Sequence, residues 1–287
     1  MKLTHVEKLY WDKITKGEML QYYASIASVI LPYLKNRPLV MHRFPEGIKG
    51  VHFFQKDAGT NVPKFVKTTK FQHENRTISY LIAQNKESLL YVANLGSIEL
   101  HMFNGTLPHL DKPDYMVFDL DPEAISFDAV VDTANVIHEI LEELHVTSYC
   151  KTSGASGLHI YVPLKGKYTY PQVMGFAKLV AQVAQKKLPK VISLERNPAK
   201  RQKKVYIDVL QNNETKMMVC AYSVRGKPHA TVSTPLLWKE VKHGLDPRSF
   251  TIKTVPKRLK KGDPFKGILK KGTNLKAALK KLDKSGD

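Results

Sequence analysis

The sequence predicts a mixed α+β fold in which mostly antiparallel strands are interleaved with a few long helices. Short runs rich in β-branched and aromatic residues, bounded by Gly, Pro or Asn, recur along the 287 residues and indicate strands. Phe127–Leu144 and Pro171–Leu188 instead repeat apolar side chains at helical spacing. With 43% apolar residues the chain can bury a core, and its two cysteines, Cys150 and Cys220, are too few for a disulfide framework. We therefore expect a protein that folds without covalent staples in a reducing cytoplasm.

Charge is unevenly distributed around a net value of +19. Residues 111–143 contain ten acidic side chains and one basic one, whereas residues 253–287 contain twelve basic and three acidic side chains. An acidic centre in a basic chain suits a metal-dependent site for a polyanion, because cations neutralise phosphates while carboxylates hold the metal. A lysine-rich surface gives the same net charge, so composition leaves both interpretations open. The longest apolar stretch, Tyr22–Leu34, is too short to cross a bilayer, and no membrane contact is expected.

The first helix is predicted from Lys16 to about Leu34. Thr15 and Glu18 have the spacing of a capping box, and Pro32 and Asn36 are expected to close the helix. Lys8 and Lys16 flank its start, where free backbone amides and two ammonium groups would favour an anion. Isolated surface lysines are the alternative interpretation.

Two strands are predicted next, at Pro38–Phe44 and Gly50–Gln55, joined by a turn at Pro45–Gly47. Adjacent residues of a strand point to opposite faces, so at most one of Phe53 and Phe54 can be fully buried in a one-sided sheet. The other is a candidate platform for stacking a nucleic-acid base. Burial of both rings stays open as the alternative.

The central strand carries two carboxylates. A strand at Ile78–Ala83, a helix at Lys86–Asn94, a strand at Ile98–Phe103 with His101, and a linker at Pro108–Pro113 are predicted before it. Asp119 and Asp121 alternate along the following strand, so both lie on one face, about 7 Å apart along the chain. Oxygen ligands at this spacing suit Mg²⁺ or Mn²⁺. Solvated acids at the end of a strand are the competing interpretation of these two residues alone.

Two further segments add polar groups. The small residues of Ser153–Gly157 predict a loop whose backbone amides can turn toward a phosphate, and the strand that follows carries His159 and Tyr161 on one face. After a basic loop at Glu195–Lys204, a strand at Lys204–Asn212 carries Asp208, which must be solvated or hold a cation.

Another strand is predicted at Met217–Ser223, and the chain from Trp238 is expected to be helical. An amphipathic closing helix contains Asn274, Leu275, Ala278, Leu279 and Leu282.

The order of these groups resembles the archaeo-eukaryotic primase superfamily, and most closely the polymerase domain of the bacterial and archaeal end-joining DNA ligase D. Six separate motifs carry the resemblance along nearly the whole chain. They are Ile14–Glu18, Arg43–Pro45, Phe53–Lys56, Val117–Pro122, Thr152–Gly154 and Tyr222–Gly226. The resemblance implies a primase-like fold of two mostly antiparallel sheets that form a central cleft flanked by helices. It also implies one domain over residues 1–287. Within it, residues 1–110 contact DNA, residues 111–235 are catalytic and resemble an RNA-recognition motif, and residues 236–287 form a basic helical tail.

The resemblance also implies roles for individual residues. Asp119, Asp121 and Asp208 are implied to be catalytic and to bind two divalent ions, with Mn²⁺ preferred and Mg²⁺ possible. The implied nucleotide-binding residues are Ser153, His159, Gln211 and Arg225, together with Lys151. Lys8 and Lys16 are implied to bind a DNA 5′-phosphate, Phe53 and Phe54 to stack on the template, and His101 and Arg201 to lie at the active site.

One departure concerns Ser156, which stands where related domains commonly have a lysine between the two glycines of the loop. A missing cation at this position would weaken triphosphate binding, unless Lys151 or Lys204 replaces it. The sequence leaves this choice open.

The implied function is template-directed nucleotidyl transfer that fills gaps and extends ends during double-strand break repair, with ribonucleotides preferred. The implied partners are broken or gapped DNA with a 5′-phosphate, nucleoside triphosphates, Ku and a DNA ligase, in a cytoplasmic protein associated with the nucleoid. Two alternatives remain. A de novo primase would share the same residues but would need no primer, and a non-catalytic DNA-bridging module would incorporate no nucleotide.

Overall fold

A computed structural model describes residues 2–73 and 75–284 of the chain. Within them, seven α-helices and sixteen β-strands confirm the predicted mixed fold. The helices are α1 Lys16–Ser25, α2 Ala27–Leu34, α3 Lys86–Asn94, α4 Phe127–Glu143, α5 Tyr170–Lys187, α6 Val255–Leu259 and α7 Leu275–Lys284. The strands are β1 Leu9–Trp11, β2 Ile14–Thr15, β3 Leu39–Arg43, β4 Phe53–Gln55, β5 Lys67–Gln72, β6 Thr77–Ile82, β7 Ser97–Phe103, β8 Gly105–Thr106, β9 His109–Pro113, β10 Tyr115–Pro122, β11 Tyr149–Thr152, β12 Leu158–Pro163, β13 Ile192–Ser193, β14 Val205–Asp208, β15 Met217–Val219 and β16 Pro235–Leu236.

The chain divides into two compact units. The first comprises the described residues of Met1–Leu107, Met217–Thr234 and Arg248–Asp263. Its main sheet has the order β15-β7-β3-β4, and every neighbouring pair in it is antiparallel. Helices α1 and α2 pack on α3, which contacts β7. The smaller antiparallel pairs β1–β2 and β5–β6 complete this unit.

The second unit comprises the described residues of Pro108–Lys216, Pro235–Pro247 and Pro264–Asp287. Its six-stranded sheet has the order β13-β14-β10-β12-β11-β16, in which only the β13–β14 pair is parallel. Helices α4 and α5 pack on each other and on β10. Their periodic apolar residues, such as Val130, Ile137 and Val180, are fully buried. The apolar pattern in the sequence thus places the helices on one face of the sheet and leaves the other face for polar side chains.

The predicted helix over residues 16–34 is wrong in one respect, because it is two helices with a break at Ile26. The hydroxyl of Ser25 donates to the carbonyl of Tyr22, and Ile26 has φ of −102° and ψ of 7°. A serine hydroxyl that bonds back to its own helix competes with the helical ladder. Pro32 lies inside α2 instead of ending it.

The predicted strand over residues 204–212 is also too long, because β14 ends at Asp208. The Asp208 carboxylate accepts the Leu210 amide at 2.8 Å, which turns the chain away from the sheet. Asn212 then replaces the missing backbone partner of β10, since its side chain pairs with both the amide and the carbonyl of Val117. One local bond, from the Leu210 amide, and one long-range pairing, of Asn212 with Val117, therefore leave the carboxylate at the last position of its strand.

Several short elements escaped prediction. Residues 108–113, predicted as a linker, contain strand β9, and the predicted helical tail is largely short turns with α6 and α7. The closing helix is confirmed, with Leu275 and Ala278 buried. Both cysteines are buried and neither forms a disulfide, and burial raises the pKa of the Cys150 thiol. In the part of the chain that the structure describes, we find no helix with the length and apolarity that a membrane span requires.

Candidate active site

A row of polar side chains crosses four neighbouring strands of the six-stranded sheet. Lys151 on β11 lies opposite His159 on β12, His159 lies opposite Asp119 on β10, and Asp119 lies opposite Asp208 on β14. Residues directly opposed on antiparallel strands project from the same face of a sheet. Asp121, two residues beyond Asp119, shares that face. The register therefore gathers the three predicted carboxylates and His159 into one site.

The row is joined by close contacts. The Lys151 ammonium lies 2.9 Å from His159 Nδ1, and His159 Nε2 lies 3.2 Å from Asp119 Oδ1. Because an ammonium can only donate, Nδ1 is the acceptor, and Nε2 carries the proton that faces Asp119. Lys151 is fully buried, so it does not present a cation at the protein surface. Its predicted contact with a nucleotide stays a prediction, and this geometry favours an indirect role through His159.

Asp208 is held by three donors. Both of its carboxylate oxygens accept hydrogen bonds, Oδ1 from the Leu210 amide at 2.8 Å and Oδ2 from Gln211 Nε2 at 2.9 Å. The Tyr206 hydroxyl is 3.4 Å from Oδ1. Burial raises the pKa of that hydroxyl to about 12, and the neighbouring Asp208 adds to the rise. Gln211, predicted as a nucleotide contact, orients the carboxylate in this structure.

Arg201 lies beside these groups on the basic loop before β14. Its guanidinium stacks on the Tyr206 ring at 4.0 Å and donates to the carbonyls of Glu195 and Arg196. A cavity of about 380 Å³ is lined by both Arg201 and Asp208. The structure thus places the predicted loop arginine next to the carboxylates.

Two backbone amides of the Ser153–Gly157 loop form hydrogen bonds within the loop. Ser153 Oγ accepts the amides of Ala155 at 3.1 Å and Gly157 at 3.0 Å. The prediction that these loop amides turn toward a phosphate is therefore wrong for two of them in this conformation. Ser156 is exposed at the tip of the loop.

The three carboxylates offer oxygen donors of the kind that bind hard divalent cations. Asp119 and Asp208 are directly opposed, and neighbouring carboxylates repel each other unless a cation or a proton lies between them. Each of the three is only partly buried, with 14% of the Asp119 side chain exposed, so ions can reach them from solvent. An all-oxygen donor set is the kind that Mg²⁺ and Mn²⁺ prefer.

A second polar cluster lies on the four-stranded sheet of the first unit, around Glu99. One oxygen of this buried carboxylate, Oε1, lies 3.1 Å from Arg225 Nε and accepts the Gly226 amide at 2.9 Å. The other, Oε2, lies 2.9 Å from His101 Nε2 and 3.3 Å from His42 Nδ1. The motif that contains Arg225 and Gly226 is thereby docked on the strand that contains His101.

Opposing effects set the ionisation of this cluster. Burial by itself raises the pKa of Glu99, but its contacts with His101 and His42 and the charge of Arg225 hold that pKa far below its usual range. Burial lowers the pKa of His101, although Glu99 counteracts part of the effect. The carboxylate is therefore ionised at neutral pH.

Neither of the predicted stacking aromatics is buried. The exposed fractions are 44% for Phe53 and 59% for Phe54, so the alternative of two core phenylalanines is wrong. Phe54 stacks on the His42 ring at 4.0 Å with an interplanar angle of 15°. On the opposite face of the strand, Phe53 lies under the guanidinium of Arg43 at 5.4 Å. Both rings are exposed, and their stacking on a template base stays a prediction.

The helix start between Lys8 and Lys16 differs from the expectation. The first amides of α1 are not free, because Lys16, Gly17 and Glu18 donate to Lys8 O, Val6 O and Thr15 Oγ1. The Lys8 ammonium pairs with Glu46, and Lys16 is 4% exposed with its Nζ 3.3 Å from Thr4 Oγ1. Burial lowers the pKa of Lys16, and the charges of Lys8 and Arg43 add to this. An anion site here would depend on side-chain cations such as the two ammonium groups and not on the first amides of the helix.

Sequence reasoning missed Glu99, His42, His52 and Asn212. Glu99 and His101 are two residues apart on one strand, a spacing that places both on one face and could have signalled a cluster. His42 joins them only through the β3–β7 register, in which it lies opposite Glu99. Asn212 carries no signal in the sequence, because its role depends on reaching the backbone of another strand.

Residues 15–265 match a family described as LigD, primase-polymerase domain. The bifunctional non-homologous end joining protein LigD of Bacillus subtilis is 34% identical over 271 residues, which are 92% of this chain and 43% of that protein. The multifunctional LigD of Mycolicibacterium smegmatis is 32% identical over 84% of this chain and 32% of its own length. The chain thus spans less than half the length of these relatives.

A solved structure is also similar, the polymerase domain of Mycobacterium tuberculosis ligase D in complex with DNA. It has a TM-score of 0.89 and 26% sequence identity, and the match covers 95% of this chain and 99% of that one.

Proposed function

The chain belongs to the family of LigD primase-polymerase domains, nucleotidyltransferases of primase type, and from this membership we propose that it is a template-directed polymerase of DNA end joining. It fills gaps and extends broken ends, and it prefers ribonucleotides. The observation that carries the proposal is the register that gathers Asp119, Asp121 and Asp208 on one face beside His159.

The three carboxylates would hold two divalent cations, with Mn²⁺ preferred. Such ions, when bound, activate the primer 3′-hydroxyl and stabilise the leaving pyrophosphate. The protein's own contribution is to fix the carboxylates in place before substrates arrive. The Leu210 amide and Gln211 orient Asp208, and the strand pairing of β10 on both sides orients Asp119.

His159 serves the incoming nucleotide in this proposal. Lys151 accounts for the tautomer of His159, because its ammonium occupies Nδ1 and leaves the Nε2 proton directed at the site. That proton now faces Asp119, and a phosphate oxygen is an alternative acceptor of the same kind. Ser153, Arg225 and Arg201 are the further phosphate-binding groups that we propose.

The DNA is contacted by the first unit. Phe53 and Phe54, both exposed, stack on template bases, since every base offers a π-face to an aromatic ring. Lys8 and Lys16 bind the 5′-phosphate on the downstream side of a gap. Ku and a DNA ligase are the proposed partners, in keeping with the end-joining names of the relatives.

A primer-extension assay on a gapped duplex tests the proposal. With Mn²⁺ present, the wild-type protein should add nucleotides opposite the template, and it should incorporate ribonucleotides in preference to deoxynucleotides. Omitting the primer is the informative control, because synthesis without a primer would indicate a de novo primase. Binding of the gapped DNA without any incorporation would instead indicate a bridging module and would contradict the proposed activity.

The proposed binding of a DNA 5′-phosphate by Lys8 and Lys16 leads to a second prediction. We expect a gapped duplex with a 5′-phosphate to bind about tenfold more tightly than the same duplex with a 5′-hydroxyl, because charge-assisted contacts to a phosphate contribute roughly 1–2 kcal/mol. Lys8→Ala or Lys16→Met should remove most of this difference, which fluorescence anisotropy can measure.

The matched control for this experiment is Lys35→Ala, which removes an exposed lysine of the same unit. This control should keep the preference for the 5′-phosphate while showing the general effect of losing one positive charge. Equal affinities of the wild-type protein for the two duplexes would reject the role of Lys8 and Lys16.

A further inference from the structure

We propose that His42, Glu99 and His101 form a binding site for a transition-metal ion, for which Zn²⁺ is the best match. One ligand atom of each residue lies within 4.8 Å of the other two. Two ring nitrogens and one carboxylate oxygen are a known donor set of zinc sites that keep a fourth position for water. The proposed site uses none of the three carboxylates assigned to catalysis, and it shares His101 with the residues that the resemblance implies at the active site.

The backbone already presents the three donors together. His42 on β3 lies directly opposite Glu99 on β7, and His101 follows Glu99 by two residues on the same strand. All three side chains therefore project from one face of a hydrogen-bonded sheet. Ligands on such a scaffold need little rearrangement to receive an ion.

The spacing of the ligand atoms suits a tetrahedral ion. Glu99 Oε2 lies 2.9 Å from His101 Nε2 and 3.3 Å from His42 Nδ1. Bonds of about 2.0–2.1 Å in a tetrahedral zinc site separate neighbouring ligand atoms by roughly 3.3–3.4 Å. The two distances from Glu99 are thus within a few tenths of an ångström of tetrahedral spacing, and the His42 and His101 ligand nitrogens lie within 4.8 Å of each other.

His42 provides the observation that favours an ion over a purely hydrogen-bonded cluster. Its Nδ1 is buried and makes no aligned hydrogen bond, although a carboxylate oxygen lies 3.3 Å away. Its other nitrogen, Nε2, lies 3.0 Å from His52 Nδ1. Once Nδ1 gives up its proton, its lone pair faces the Glu99 oxygen in a buried position. A metal ion between them satisfies both.

The surroundings match those of metal ligands in proteins. Histidine ligands are usually oriented through their second nitrogen and carboxylate ligands by hydrogen bonds to the other oxygen. His52 contacts the second nitrogen of His42, while Arg225 and the Gly226 amide hold Glu99 Oε1. The two ligand histidines keep exposed fractions of 12% and 16%, so an ion can enter from solvent.

The test uses the full chain with Asp119→Asn and Asp208→Asn, so that the catalytic carboxylates do not contribute a second metal site. Zn²⁺ is titrated in competition with a chromophoric chelator, and Co²⁺ is added separately to record its visible absorption. We expect one Zn²⁺ per chain with a Kd of about 1 μM or below, and intense Co²⁺ bands of a tetrahedral site. Adding His42→Ala should weaken binding by at least tenfold.

The matched control is His109→Ala, which removes an exposed histidine and should leave the Zn²⁺ affinity unchanged. X-ray absorption of the zinc-loaded protein needs no His42 variant, and it should show nitrogen and oxygen ligands at about 2.0–2.1 Å with imidazole scattering. Binding weaker than about 1 mM, or equal Zn²⁺ affinity after His42→Ala, would overturn the proposal. Because the double variant lacks two of the carboxylates assigned to catalysis, its measured Zn²⁺ affinity does not depend on whether the wild type extends primers.

Discussion

We expect Asp208→Ala to lower primer extension by about 10³-fold or more while the protein still binds gapped DNA. Asp208 lies directly opposite Asp119, and a cation shared by such a pair loses a negatively charged ligand when either is removed. A bound ion contributes several kcal/mol to stabilising the transition state, and each 1.36 kcal/mol is a factor of ten in rate. Asp119→Ala should have the same effect. Single-turnover extension on a gapped duplex, together with anisotropy for DNA binding, measures both quantities.

Two further variants separate charge from structure. Asp208→Asn can still accept the Leu210 amide bond, so it should fold like the wild type yet lose most of the activity. Asp111→Ala removes an exposed carboxylate of the same unit and should leave extension unchanged. A wild-type rate of primer extension in Asp208→Ala would contradict the proposed mechanism.

The second large effect is expected for Gly157→Ala, on stability as well as activity. A Cβ atom at this position would lie 2.1 Å from the carbonyl oxygen of Leu120, far inside van der Waals contact. The clash is with the backbone of β10, so β12 must move away from it, and these two strands carry Asp119 and His159. We expect a loss of about 3 kcal/mol in the free energy of unfolding, typical of overpacking in a core, and a clear fall in extension rate.

Gly175→Ala is the matched control for this substitution. Gly175 lies inside α5, where an added Cβ meets nothing within 4 Å. Since alanine is a better helix former than glycine by about 1 kcal/mol, the control should be as stable as the wild type or more so. Thermal and urea unfolding compare the two variants, and an unaltered midpoint for Gly157→Ala would show that the two strands adjust more easily than their close contact indicates.

The position of Lys151 changes the interpretation of Ser156. Of the two lysines that could replace the missing loop cation, Lys151 is fully buried behind His159, and Lys204 donates from its Nζ to the carbonyl of Pro189 at 2.9 Å. Neither presents an ammonium group at the loop tip where Ser156 is exposed. In our proposal, the positive side chains left to bind the triphosphate of the incoming nucleotide are therefore Arg201 and Arg225.

Several features of this protein follow from its sequence alone. Apolar periodicity locates α3, α4 and α5 within one or two residues, because a helix that covers a sheet must bury one stripe of its surface. Alternation along β10 places Asp119 and Asp121 on one face, since side chains of a strand alternate by geometry. The capping box at Thr15 and Glu18 forms as predicted, because all of its partners lie within four residues. Such features depend on neighbours in the chain.

Other features were decided only by the tertiary structure. Which side chains become neighbours depends on the register between strands that are far apart in sequence. The partnership of Asp119 with Asp208, and of His42 with Glu99, follows from which strands pair and at which residues. A shift of one residue would turn each of these side chains to the opposite face of its sheet. The occupied amides at the start of α1 and the burial of Lys151 likewise depend on distant contacts. The sequence alone therefore placed the carboxylates on their strands, and the pairing of strands determined which side chains lie together.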